Sequence, residues 1–138
     1  MAKIWSVKEW SLTFAAGVLG GLANSLALWF FGAFGINHFL GVALAPMLTP
    51  AWLYPRLVWG GLWGFLFLLP FPRLAYPSRG LIYSLVPTLV QLFIVFPQVL
   101  HKGVGGLELG YLTPLLALFL NAIWGVVTAV WLKWSRSA

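Results

Sequence analysis

Chemistry in so apolar a chain would have to come from its few polar side chains, and three carboxamides stand out: Asn24, Gln91 and Asn121. Each lies near the middle of a long stretch without a charged residue. An amide left without a partner in hydrocarbon costs several kcal/mol, so each needs another side chain, a backbone group or water. One reading is that the amides bond to one another or to neighbouring backbone and lock helices together, at roughly 0.6–2 kcal/mol per bond. The alternative is a polar site near the midplane for a bound or permeating solute. Locking is preferred, because interhelical amide contacts are common in membrane bundles.

Charged candidates are fewer still. Arg56 and Glu108 fall on one side of the topology derived below, where an ion pair would tie a helix end to a loop. His38 and His101 fall on that side too, but two histidines without a carboxylate or cysteine partner make a poor metal site. Surface or headgroup contact is the expected role of both. Neither Glu9 nor Glu108 lies inside an apolar stretch, so the intramembrane acid of an ion-coupled carrier is missing. Ser25 and Ser84 have no histidine at their depth, there is no phosphate loop, and the absence of cysteine removes thiol chemistry. No catalytic residue is therefore assigned, no metal or cofactor is expected, and the chain reads as non-enzymatic.

These side chains must be positioned by elements suited to lipid. Of 138 residues, 62% are hydrophobic and 7% charged. Soluble domains run at about 25% charged, and one this small could not hide so much apolar surface from water. The net charge of +6 comes from basic residues placed singly at segment edges. That pattern suits membrane orientation and anionic headgroups; it does not make the clustered face that nucleic acid requires. About 20 helical residues cross the hydrocarbon. The expected fold is therefore an all-α integral membrane protein, one domain over residues 1–138, with four transmembrane helices near 11–34, 51–72, 80–100 and 111–132. The first apolar run is longer than a signal-peptide core and is expected to be retained. The second span carries Arg56 at interfacial depth, its stem extended towards the headgroups, with Pro55 in the first turn. Pro87 and Pro97 should kink or end the third.

The apolar connection over 35–50, GINHFLGVALAPMLTP, is too short to cross and return; it reads as an interfacial helix or, failing that, a re-entrant turn. Lys3, Lys8, Arg73, Arg79, Lys133 and Arg136 fall on one side, against Arg56 and Lys102 on the other. That imbalance places both termini in the cytoplasm. Trp5, Trp10, Tyr76, Trp131 and Trp134 would form the inner aromatic belt, and Trp52, Tyr54 and Tyr111 the outer one. An internal repeat is also visible. Gly41–Pro50 (GVALAPMLTP) matches Gly105–Pro114 (GGLELGYLTP) at the first Gly and the final Leu-Thr-Pro, and Trp59-Gly60 matches Trp124-Gly125 at nearly the same offset. Two tandem two-helix hairpins in parallel orientation would give that pattern, as would chance in apolar sequence.

Small residues recur at helical spacing: Gly17, Gly21 and Ser25 in the first span, Gly60, Gly61 and Gly64 in the second, and Asn121, Gly125 and Ala129 in the fourth. Such faces let backbones approach closely. Packing within the chain is the expected use, and a homo-oligomer seam the alternative. The stretches WGGLWGFLF, FPQVLHKGVGGLELG and NAIWG give the last two-thirds of the chain a compositional resemblance to small four-helix bacterial inner-membrane proteins of the YagU-like group. The resemblance implies a multi-pass inner-membrane location and supplies no functional residue. Two functions follow from the residues. One is an accessory or scaffold protein in the lipid bilayer that packs with itself or a larger membrane complex. The other is a homo-oligomeric channel or facilitator for a small neutral or anionic solute.

Overall fold

The computed structural model describes residues 6–70 and 75–137, which are helical throughout apart from the connections. Helix α1 runs Val7–Ala33; Ser6 caps it by accepting from the Glu9 amide at 3.3 Å, and the Glu9 carboxylate sits in the positive first turn. A single turn, α2 (Ile36–Phe39), follows. Helix α3 spans Pro50–Gly64, capped by Thr49 and tightened into a 3₁₀ turn over Phe65–Leu68. Helix α4 (Tyr76–Val90) continues as a wider π-helical stretch over Gln91–Val99. A 3₁₀ segment over Val104–Leu109 leads to α5, Thr113–Ser137.

Three helical stretches are long and apolar enough to cross a membrane: Val7–Ala33, Tyr76–Val99 and Thr113–Arg136. The α3 segment is shorter. Its fifteen α-helical and four 3₁₀ residues rise about 30 Å together, close to the thickness of a hydrocarbon core. Pro55 lies in the second turn of α3, not the first, because the helix already begins at Pro50. Residues 71 and 72 of the expected second span, together with Lys3, Trp5 and Arg73, lie outside the described residues.

Neither proline ends the third helix. Pro87 is tolerated inside α4, and four residues later the winding loosens to the π form, which persists past Pro97. In an α-helix the Pro97 ring would collide with the carbonyl one turn back, and wider winding moves that carbonyl away. The stretch over 35–50 forms neither a full interfacial helix nor a re-entrant pair. After α2 it runs as irregular chain across the bundle end, where the Ala43 amide donates to Leu109 O at 2.8 Å and joins the two connecting loops.

Packing follows a simple order. Helix α1 lies against both α3 and α5, and α5 lies against α1 and α4, giving the sequence α3–α1–α5–α4. Because α3 and α4 barely meet, something else must fill between them. At one end this is Phe67 from the 3₁₀ turn, 1% exposed, set edge-to-face on Tyr83 at 4.8 Å and packed with Trp124. The same end carries the Arg136–Glu9 ion pair, with Nη2 at 2.7 Å and Nε at 3.0 Å from one carboxylate oxygen. The first and last described turns of the chain are thereby held together. The opposite end carries both connecting loops and a second apolar cluster of Leu28, Val42, Leu116 and Leu120.

Candidate functional site

The glycine faces set how close the helices come, and so how close their polar groups lie. A Cβ on Gly60 would sit 2.7 Å from Gly17 O, and one on Gly17 would collide with Gly60 O. The α1–α3 contact is thus backbone against backbone. Gly21 faces Arg56 O, Gly64 faces Thr13 O, and Gly61 lies under the Phe14 ring. Gly80 and Gly125 oppose each other in the same reciprocal way between α4 and α5, with the Ala129 Cβ beside Gly80. Every glycine of the expected packing stripes is therefore used within the chain. The carbonyls brought forward at Gly17 and Gly60 both accept from Trp124 Nε1, at 3.2 Å each, so α5 bonds to both helices of the first pair.

Towards the loop end a continuous chain of polar groups crosses all four long helices. Arg56 on α3 donates from Nε to Ser25 Oγ at 2.8 Å and from Nη2 to Asn24 Oδ1 at 2.7 Å. Asn24 on α1 donates from Nδ2 to Leu120 O at 2.9 Å and to Asn121 Oδ1 at 3.2 Å. Asn121 on α5 donates from Nδ2 to Gln91 Oε1 at 2.9 Å and to Thr88 Oγ1 at 3.0 Å, both on the third helix. Thr88 in turn donates to Ser84 O at 2.7 Å. The direction of this chain is fixed at its source. A guanidinium only donates, so Asn24 must turn its oxygen to Arg56 and its NH₂ onward, and each following amide is oriented likewise.

The structure brings Asn24, Gln91 and Asn121 together, and it places Arg56 among them. The expected Arg56–Glu108 pair is not formed. Arg56 turns inward, its guanidinium 4.8 Å from the centre of the Trp52 ring and bonded to Asn24 and Ser25, whereas Glu108 is exposed beside Gly103. The expected extension of Arg56 towards the headgroups is overturned by the same contacts. Oxygens held at fixed positions, with an aromatic face alongside, satisfy the planar cation where it stands. The level of the amides is also offset from the middle of the helices. Asn24 is nine residues before the end of α1 and Asn121 eight after the start of α5, about 12–14 Å from the loop end.

Several participants escaped the sequence reading. Thr88 stands three residues before Gln91, a spacing that shares a helix face and could have flagged it. Gly80 lay at the edge of the expected third span, beside Arg79. Trp124 resembled any aromatic of a membrane helix. The Arg136–Glu9 pair joins residues that the topology had already put on one side, which was the available signal. Nearby, Arg79 and the Tyr83 hydroxyl both donate to Leu69 O, at 2.8 and 3.1 Å, closing the end of the 3₁₀ turn.

A cavity of about 20 Å³ lies against the polar chain, lined by residues that include Arg56, Gln91, Thr113, Leu44, Phe96 and Leu116. That is room for about one water-sized particle. Among the described residues no group of three or more His, Asp or Glu side chains could hold a metal ion. Comparison of the chain with protein-family models, curated proteins and solved structures finds no match.

Proposed function

We propose that the chain is a non-enzymatic, multi-pass membrane protein that acts by packing, as an accessory or scaffold subunit with itself or with a larger membrane complex. In this reading all four long helical segments cross the bilayer, the basic residues near Glu9 and Arg136 face the cytoplasm, and the bilayer is a bacterial inner membrane. The observation that carries the packing role is the use made of the intramembrane polar groups. Asn24, Asn121 and Gln91 bind one another across three helices, and the space left beside them is about 20 Å³. A conduit for a hydrated solute would keep such groups facing an open path; here each of them is bonded to another helix. Six bonds of the chain join different helices, at roughly 0.6–2 kcal/mol each.

The test replaces Asn24, Gln91 and Asn121 together by Leu. Packing predicts a lower unfolding midpoint and a changed set of co-purifying subunits, with liposomes of the wild-type protein no leakier to small solutes than empty ones. Solute flux through wild-type liposomes that vanishes in a still-folded triple variant would replace this reading with a channel.

A further inference from the structure

Arg56 is a charge without a counter-charge. Its guanidinium stays protonated at any accessible pH, and an uncompensated cation at this depth is costly. The partners it has are a hydroxyl and an amide oxygen, both neutral. Of the two acids in the chain, Glu9 is held by Arg136 at the opposite end of the bundle and Glu108 is exposed in the loop.

Around the cavity lie N–H and O–H groups that make no bond within the chain. Asn24 Oδ1, Asn121 Oδ1 and Gln91 Oε1 each already accept a bond. Since Arg56 sets the direction of the chain, Gln91 is left with its NH₂ unbonded at the far end. Arg56 keeps three of its five N–H donors after the two bonds above. Thr113, 1% exposed, lines the same cavity, and its Oγ1 has no hydrogen-bond partner although it is fully enclosed. Side chains with unspent donors on three helices, Arg56, Gln91 and Thr113, thus line a space that fits about one water-sized particle. Water could accept these bonds, but it would leave the charge uncancelled.

We propose that this cavity binds one small monovalent anion of halide size, held by Arg56, Gln91 Nε2 and the Thr113 hydroxyl. The anion is a bound structural counter-ion that completes the polar chain, and the assignment stands whether or not the packing role does. A lipid phosphate carries the same charge but is larger than this space of about 20 Å³.

The experiment uses the full chain, delipidated in a maltoside detergent that carries no phosphate. Unfolding midpoints are measured in sodium fluoride, chloride, bromide and gluconate at constant ionic strength. A saturable rise with at least one halide over gluconate is expected. Arg56→Gln should abolish the halide-dependent increment, and Thr113→Val should weaken the apparent halide affinity by about three- to tenfold, the value of one hydrogen bond. Equal midpoints in halide and gluconate overturn the proposal, as does an increment that survives in Arg56→Gln. A rise produced by added phosphatidylglycerol and by no halide also overturns it, in favour of a headgroup. Should Arg56→Gln fail to fold, anomalous diffraction from wild-type crystals grown in bromide decides: a peak in the cavity supports the anion, and a water there without anomalous signal overturns it.

Discussion

The α1–α3 pair and the α4–α5 pair are built to one plan and then put to different uses. Gly17 faces Gly60 in the first as Gly80 faces Gly125 in the second, at offsets of 63 and 65 residues. One turn or two beyond, Asn24 accepts from Arg56 in the first, and Thr88 accepts from Asn121 in the second, at offsets of 64 and 65. Thr-Pro opens the returning helix in both, at Thr49-Pro50 and Thr113-Pro114. The differences lie in what the second helix of each pair carries. Where α5 has the neutral Asn121, α3 has the charged Arg56. Where α5 buries Trp124 to 3%, α3 leaves Trp59 60% exposed. Close backbone contact is thus the shared framework, and the side chains at matching positions decide which helix lies inside. Helix α5 presents amide and indole to its neighbours and becomes central; α3 stays peripheral.

The widest contrast is expected at the matched tryptophans. Trp124→Ala removes a large buried ring and the side-chain donor to two carbonyls, and the lost burial and the cavity together cost about 3–5 kcal/mol. Trp59→Ala should stay within about 0.5 kcal/mol, as substitutions at exposed positions do. Equal losses in detergent unfolding would mean that Trp59 is covered in the working protein. The framework itself gives the next largest effect. Gly17→Ala and Gly80→Ala each place a methyl against a facing carbonyl, and overpacking of this kind costs about 1–3 kcal/mol. The two should be alike within error; a tolerant Gly80→Ala would break the parallel between the pairs.

Much of this was legible in the residues because lipid makes polarity conspicuous. An amide in twenty apolar residues has to be bonded, so Asn24, Gln91 and Asn121 could be singled out before any contact was seen. Glycines at every fourth position announced close helix contact for the same kind of reason, and the repeated Leu-Thr-Pro pointed to two hairpins. What stayed hidden depended on rotation of helices about their own axes. Whether Arg56 turns outward or inward is decided by which face of α3 meets α1, and that is the face of Gly60 and Gly64, on which Arg56 stands one turn earlier. Thr88 shares a face with Gln91 but did not demand a partner, because a threonine can satisfy itself on its own helix, as its bond to Ser84 O does; the neighbouring Asn121 gives it a second role. The π winding past Pro97 could not be separated in advance from a kink or a helix end, since all three relieve the same clash.

The remaining contrast is between the charged and neutral versions of the cross-helix bond. Thr88→Val keeps the shape, removes one acceptor from Asn121 and leaves Gln91 Oε1 as the other, so a loss of about 1 kcal/mol is expected. Asn24→Leu strands a cation instead, and a hydrogen bond to a charged group contributes about 1.5–3 kcal/mol. It also removes the acceptor that orients the chain, so the Asn121 and Gln91 amides become free to reverse. The double variant Asn24→Leu, Arg56→Met separates these effects. With the charge gone there is nothing to strand, and the double variant should be more stable than Asn24→Leu alone, a coupling that a thermodynamic cycle reads directly. Thr88→Val combined with Arg56→Met should depart from additivity by more than about 0.5 kcal/mol, because Arg56 sets the orientation in which Asn121 turns its NH₂ to Thr88. Additivity there would mean that Asn121 keeps its orientation without the charge on α3, and that each hairpin holds its own polar bonds.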